Sequence, residues 1–543
     1  MKRLWSGLLL AAGAAGCAVG PNYHAPAVAT PERWSGIDAR TPASQPAATT
    51  QPANVAMWWE SLRDPMLDAL VVRAVESNLD LRVAEARVRE ARALRDVATA
   101  DFWPQINFGS SYTYSGASAN VGARAASPPT LGGLPTVTLR PGIAGTTGQS
   151  TVAITAQRIS RAGGRVAIQP GALNVPGGFS PPTVTLNPQG AAARISRQQN
   201  LFQMGFDATW ELDIFGGIRR SVEAAEADLA AIEETRRDVF VTLLSEVALN
   251  YAELRGAQRR LTIARENIAA QRDTADLTRT RFQAGFTNEL DVAQAEAQLA
   301  TTQSQVPLLE SAIRQAIYQL SVLLGLPPGD LVAELESHAP IPATSPSVPL
   351  GLPSDLLRRR PDIRAAERQL AAATARIGAA MADLFPKFSI AGSFGPAASD
   401  IRRLLDHRSL GWSIGPDINW PIFEGGRIRA NIEVQNARQE QALATYEKVV
   451  LTAFQDVESA LIAYTNEKTR LESLARAVRA DQRALELSNE LYSRGLTAFL
   501  NVLDSQRALY LAQDELVQSE QAAVVDLIAL YKALGGGWEL AEN

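Results

Sequence analysis

Leu491-Tyr-Ser-Arg-Gly-Leu-Thr-Ala-Phe-Leu-Asn-Val-Leu-Asp-Ser-Gln506 reads as the end of one helix, a tight reversal at Gly495 and the start of another. The flanks decide the scale. None of the chain's 30 prolines lies beyond Pro421, and no glycine occurs between Arg427 and Arg494. That run is rich in Ala, Leu, Glu, Gln and Arg, the strongest helix formers. At 1.5 Å per residue it predicts a helix roughly 100 Å long, over about 427–494, with a return helix over about 497–534. Such a hairpin is a strut rather than a globule.

The same object occurs earlier in the chain. Displacing the numbering by 210 puts Phe282 on Tyr492, Gly285 on Gly495, Thr287 on Thr497, Leu290 on Leu500 and Val292 on Val502. A second long helix is therefore expected over about 218–284, with its return over about 288–325. Gly285, Thr287, Gly495 and Thr497 mark the two tips. A second displacement, of 282, places Asp80 on Asp362, Glu85 on Glu367, Asp101 on Asp383 and Pro104 on Pro386. The chain is an internal duplication, with repeats over 67–326 and 354–534. The linker 327–353, with seven prolines, is expected to pack around the helical waist. A short tail, 535–543, follows the second repeat.

Four segments alternate with period two: about 105–115, 200–214, 387–395 and 411–423. In Phe202–Trp210 and Trp412–Trp420 the even positions are apolar or aromatic, while the odd ones are small or polar. Nine-residue strands with aromatic ends and one apolar face have the pattern of an outer-membrane barrel. A soluble sandwich strand also alternates. The barrel reading turns the even residues to lipid and Gln203, Asp207, Ser413, Asp417 and Asn419 to a lumen. Four strands cannot close a barrel, and open edges are not tolerated in lipid. Two, three or four copies would supply eight, twelve or sixteen strands, and the strand count does not choose among them.

The N-terminus agrees with export. Lys2 and Arg3 precede an apolar run ending at Ala14-Ala15-Gly16-Cys17, too short to span a membrane. Residues 1–16 read as a signal peptide, and Cys17, the only cysteine, as a lipobox thiol that becomes the acylated N-terminus. Ala14 departs from the usual leucine of that motif. Residues 17–66 are expected to form an extended tether, Pro-, Ala- and Thr-rich over 21–52. With one cysteine no internal disulfide can form. The formal charge of −5 falls to about −7 once Lys2 and Arg3 are removed, which argues against nucleic acid as a partner. The insertion 116–199 separates the first two strands. It contains seven arginines but no Asp, Glu or Lys, and reads as a surface loop in preference to a cationic cap on lipopolysaccharide.

Catalysis finds little support. His24, His338 and His407 are scattered, and none has a second ligand at metal-binding spacing. Gly216-Gly217 and Gly425-Gly426 sit where a strand meets a long helix, the place for a joint rather than a phosphate loop. No enzyme activity, metal or cofactor is expected.

These features together resemble the TolC/OprM family, and within it the NodT-like lipoprotein branch. The resemblance is carried by the Cys17-Ala-Val-Gly-Pro-Asn-Tyr23 start, Leu357-Arg-Arg-Arg-Pro-Asp-Ile363, the tip 491–506 and the two repeats. It covers essentially the whole mature chain; the 116–199 loop is a departure. It implies a homotrimer whose twelve-stranded barrel in the outer membrane continues as a periplasmic α-barrel. It further implies a passive exit duct for drugs or other toxic small molecules. The partners would be a periplasmic adaptor and an inner-membrane resistance-nodulation-division pump. The family places a leucine and an aspartate at Leu500 and Asp504, at the narrow end of the duct. Spaced by four, they share one helix face, and a three-fold axis would stack their rings. The alternative role for Asp504 is a pair with Arg507 or Arg494 on an outer face, with Leu290 and Asp291 of the first tip next in line. Other functions within reach are a type I secretion exit and a heavy-metal cation duct. A periplasmic scaffold or adaptor lipoprotein is the reading from a different class, but an adaptor would carry one hairpin and no lipid-facing strands.

Overall fold

Strands β1 (Gln105–Gly116), β2 (Gln198–Leu212), β3 (Lys387–Ala398) and β4 (Leu410–Asn419) form one antiparallel sheet in the order β1-β2-β3-β4. The computed structural model describes residues 18–28, 30, 31, 34, 55–116, 198–343 and 353–539. The expected signal peptide, Cys17 and all but the ends of the 116–199 loop lie outside these residues. So do 344–352 of the linker and the last four residues of the tail, 540–543. The chain forms two compact units that cut across the repeats. One holds all four strands; the other holds the helices. The duplication thus contributes half of each unit twice instead of giving two domains.

In the sheet unit the register aligns like with like. Asn107, Asp207, Ser393 and Ser413 make one row, and Phe108, Phe206, Phe394 and Trp412 the next. Because side chains alternate, the first row lies on one face and the second on the other. The expected strand over 411–423 stops at Asn419. Pro421 has no amide hydrogen to donate to a ladder, and β4 is an edge strand, where Pro416 is also tolerated.

The helical unit contains α1 (Pro65–Ser77), α2 (Leu79–Ala100), α3 (Gly217–Gln283), α4 (Glu289–Leu323), α5 (Pro361–Ala382), α6 (Arg427–Ser493) and α7 (Phe499–Ala533). Single helical turns lie at Val332–Leu335 and Leu356–Arg359. Element bounds repeat residue for residue: α5 is α2 displaced by 282, while α6 and α7 are α3 and α4 displaced by 210. Pro307 falls inside α4 without ending it.

The core sits at the waist. Phe240, Leu244 and Tyr251 of α3 pack with Ile317 and Leu320 of α4, Val450 and Val457 of α6, and Leu527 and Tyr531 of α7. Trp58 stacks on Tyr531 at 5.4 Å, and Val55, Trp59 and Leu62 are buried beside it. The extended tether expected through residue 66 therefore fails from Val55 onward. Three large apolar side chains within five residues gain more from the core than from lying on a surface. The linker does meet the waist. Arg255 donates to the Ser337 carbonyl at 2.9 Å and Gln258 to that of Leu335 at 2.7 Å, with Leu331 and Leu335 buried.

Ahead of that, residues 18–28 run along the helices. Arg220 donates to the carbonyls of Val19 (3.2 Å) and Gly20 (3.3 Å) and to Asn22 Oδ1 (2.7 Å). Gly20, at φ +95°, approaches Gly378 so closely that a Cβ there would lie 2.4 Å from its Cα. Only glycine fits both the backbone and the gap.

Candidate functional site

The two hairpin tips share one backbone design. After α3 the Gly285 amide donates to Phe282 O (2.9 Å) and Phe286 to Arg281 O (2.8 Å); after α6 Gly495 donates to Tyr492 O (3.0 Å) and Leu496 to Leu491 O (2.9 Å). Gly285 and Gly495 take φ of 76° and 74°, the left-handed cap of a helix C-terminus. The threonine of each tip is tied to the residue four further on. Thr287 Oγ1 donates to the Asp291 carboxylate, and Asn501 Nδ2 donates to Thr497 Oγ1 at 2.6 Å.

What the tips do with their side chains differs. Phe499 is 2% exposed and packs with Tyr492, Val502, Leu503, Ala275 and Ala295 in a small core separate from the waist. The guanidinium of Arg281, from the first tip, lies 4.8 Å from the centre of the Tyr492 ring. Above this cluster, Gln506 donates to Thr274 Oγ1 (2.8 Å) and Arg507 to Gln298 Oε1 (2.7 Å). Arg260 and Asp514 form an ion pair at 2.6 Å. Together they stitch α7 to the first hairpin. Sequence reasoning missed this seam. Tyr492 and Phe499 stood in the quoted stretch, but their partners lie some 200 residues away.

Leu500 is 51% exposed, and Asp504 is exposed on the same face of α7. The alternative pairings do not occur: Arg507 is bonded to Gln298, and Arg494 to Glu490. Among the described residues Asp504 makes no hydrogen bond or ion pair. Leu290 is likewise exposed, whereas Asp291 is taken up by Thr287.

In the sheet, Gln203, Asp207, Ser413, Asp417 and Asn419 share one face, as the register requires. Asn107 donates to Asp207 at 3.2 Å, and the Ser393 and Ser413 hydroxyls are 2.7 Å apart. The opposite face exposes Ile106, Phe108, Phe206, Phe394, Trp412, Ile414 and Ile418. At one end, Trp210 Nε1 donates to Phe102 O (2.8 Å) and Trp420 Nε1 to Leu384 O (3.1 Å), the same device in each repeat.

Two 67-residue helices with short returns, in one chain with an antiparallel sheet that exposes one aromatic face, define an outer-membrane channel fold. The chain belongs to the outer membrane efflux protein family, whose model matches residues 70–139, 182–326 and 352–536. It is an outer-membrane component of an efflux system.

It is 32% identical over 513 residues to the pyoverdine export outer membrane protein OpmQ of Pseudomonas aeruginosa, covering 94% of this chain and 92% of that protein. It is 29% identical over 525 residues to nodulation protein T of Rhizobium leguminosarum bv. trifolii, covering 96% and 95%. The solved outer-membrane channel OprN superposes with a TM-score of 0.77 at 32% identity, over 96% of this chain and all of that one (100%).

Proposed function

We propose that three copies of this chain close a twelve-stranded barrel and form a passive exit duct for small toxic molecules. An inner-membrane resistance-nodulation-division pump and a periplasmic adaptor deliver the cargo, and Cys17 is acylated. The observation that carries the reading is the sheet. Its aromatic face is exposed, and among the described residues β1 and β4 are open edges, which lipid does not tolerate. Further copies of the chain satisfy those edges, and the polar face then lines the lumen. The duct performs no catalysis; it is a path. Its cargo is set by the pump, which fits relatives named for pyoverdine export and for nodulation.

The tips supply the gate. With Leu500 and Asp504 turned to a three-fold axis, a leucine ring excludes water and three carboxylates draw cations while repelling one another. The closed state is modestly preferred, so that docking of the adaptor tips it open.

Purified protein added to planar bilayers is expected to give discrete, cation-preferring conductance steps and to run as a trimer in mild detergent. A monodisperse monomer without channels would overturn the proposal. The facing of the sheet has its own test. Ile414→Arg is expected to cost about 2–4 kcal/mol in membrane stability near the midplane, and Ser413→Arg far less. Equal tolerance at the two positions would reverse or remove the assigned faces. For Cys17, the Cys17→Ser variant is expected to lose acyl labelling; retained label would exclude that thiol as the anchor.

A further inference from the structure

The connection between β3 and β4, Ser399-Asp-Ile-Arg-Arg-Leu-Leu-Asp-His-Arg-Ser409, is short and internally fixed. Asp400 accepts from the Arg402 amide (3.0 Å), Asp406 from the Arg408 amide (3.2 Å), and Ser409 Oγ donates to Arg403 O (2.7 Å). His407 Nδ1 lies 2.9 Å from Asp406. Both carboxylates are thus engaged inside the loop. The guanidiniums of Arg402, Arg403 and Arg408 are exposed and, among the described residues, make no hydrogen bond or ion pair. Ile401, just before them, is 62% exposed, and Leu405, between Arg403 and Arg408, is 84% exposed. The loop runs straight into the apolar face of β4 through Leu410 and Trp412.

Three unpaired guanidiniums interleaved with bare aliphatic side chains, at the rim of a lipid-facing band, suit one environment. Aliphatic groups enter the acyl boundary while arginines take anionic headgroups. Guanidinium binds phosphate through two parallel hydrogen bonds, and a backbone already fixed by its own bonds loses little freedom on binding. The loop lies at the end of the sheet away from the residues where α5 leads into β3 and β4 leads to α6. With the hairpin tips meeting the periplasmic adaptor, as proposed above, and the ends of the strands that lead to the hairpins taken on that side, it emerges at the outer leaflet.

We propose that Arg402, Arg403 and Arg408 form a binding surface for the phosphate groups of the outer-leaflet glycolipid, the lipid A portion of lipopolysaccharide, with Ile401 and Leu405 set against its acyl chains. The inference rests on the orientation just given, whereas its test in detergent is independent of channel activity.

Full-length protein in detergent is titrated with bis-phosphorylated lipid A, dephosphorylated lipid A and phosphatidylglycerol. The expected result is saturable binding of bis-phosphorylated lipid A, weakened at least about tenfold in the Arg402→Gln/Arg403→Gln/Arg408→Gln variant. Dephosphorylated lipid A is expected to bind as weakly as that variant binds the phosphorylated form. The corresponding Lys triple variant falls between, keeping charge but losing the paired hydrogen bonds. Arginines of the 117–197 segment are common to all these proteins, so the difference isolates the short loop. Equal binding by wild type and the Gln variant, or indifference to dephosphorylation, would overturn the proposal. Phosphatidylglycerol displacing lipid A at equal concentration would overturn the assignment to the glycolipid. If the triple variant melts early, single Arg402→Gln and Arg408→Gln variants carry the same comparison.

Discussion

The two hairpin tips were built from one template and have been put to different uses. Their backbones match through Gly285 and Gly495, with the same two turn hydrogen bonds. The first tip invests in its own helix. Asn288 caps α4 by accepting from the Asp291 amide at 3.0 Å, and Glu289 and Asp291 place negative charge in the first turn. The second has Ala498 at the cap position, with no side-chain cap and no acid in its first turn. It is held instead by burying Phe499 against Tyr492 and the first hairpin. A tip secured by packing against a neighbour can let go when that neighbour moves. A self-capped tip has no such handle. The proposed gate therefore takes the second hairpin as its moving part and the first as its fixed part, and the comparisons below test that choice.

The long helices repeat the contrast. α3 carries buried side chains along most of its length, whereas those of α6 are confined to Tyr446–Tyr464 and Tyr492. Among the described residues the linker holds α3 through Arg255 and Gln258, and it also pairs Glu336 with Arg314 of α4 and Glu334 with Arg73 of α1.

The largest expected effect comes from exchanging the two phenylalanines for alanine. Phe499→Ala removes a fully packed ring and is expected to loosen the second tip by about 3–5 kcal/mol. Phe286, 76% exposed, is expected to tolerate alanine within about 0.5 kcal/mol. Amide hydrogen exchange over 491–503 and 281–293 reads both. Similar losses at the two sites would erase the contrast.

Next in size is the cap. Asn288→Ala is expected to cost about 1 kcal/mol, and Ala498→Asn to gain a similar amount by giving the second tip what the first already has. Exchange rates of the first-turn amides of α4 and α7 report the two changes with opposite sign. A comparable effect, about 0.5–1 kcal/mol, is expected for Arg281→Gln, which removes the guanidinium from the Tyr492 ring. It should raise exchange at 491–496 and leave the α4 cap alone; a change at the cap would mean that the tips are not separable.

The smallest effect concerns the linker's grip on α3. Burial, then Arg259 and Arg255, push the His338 pKa below its usual value, against a weaker opposing pull from Glu266. The folded form therefore favours neutral imidazole. Its contribution is whole above the unfolded value of about 6.5 and is lost as pH falls below it. Unfolding midpoints of wild type are expected to fall slightly more than those of His338→Gln between about pH 7 and pH 5. Parallel curves would remove this residue from the waist's pH response.

Much of this was legible in the residues, for physical reasons. A helix without Pro or Gly announces itself, and Arg427–Ser493 begins and ends within a residue of the expected bounds. Alternation fixed which sheet residues share a face, because a period of two admits no other solution. What could not be read was distant pairing. Arg360 stood in a motif that marked the family, yet its work is to join Asp362 (2.7 Å), Asp456 (3.1 Å) and the Ala533 carbonyl (3.1 Å), the last at the C-terminus of α7. Trp58 and Trp59 lay in a segment whose upstream composition suggested a tether, and their burial depends on Tyr531, far along the chain. At the tip, spacing put Leu500 and Asp504 on one face, but only the structure shows Arg507 and Arg494 bonded elsewhere.

The central claim is that the second tip closes the duct, and single-channel recording in planar bilayers tests it most directly. Leu500→Ala combined with Asp504→Ala is expected to raise conductance and weaken cation selectivity, since both the apolar ring and the carboxylate ring are lost. Leu290→Ala with Asp291→Ala, the matched change on the self-capped tip, is expected to leave both near wild type. Wild-type conductance and selectivity in the first double variant, with the increase appearing in the second, would contradict the account and move the constriction to the first hairpin.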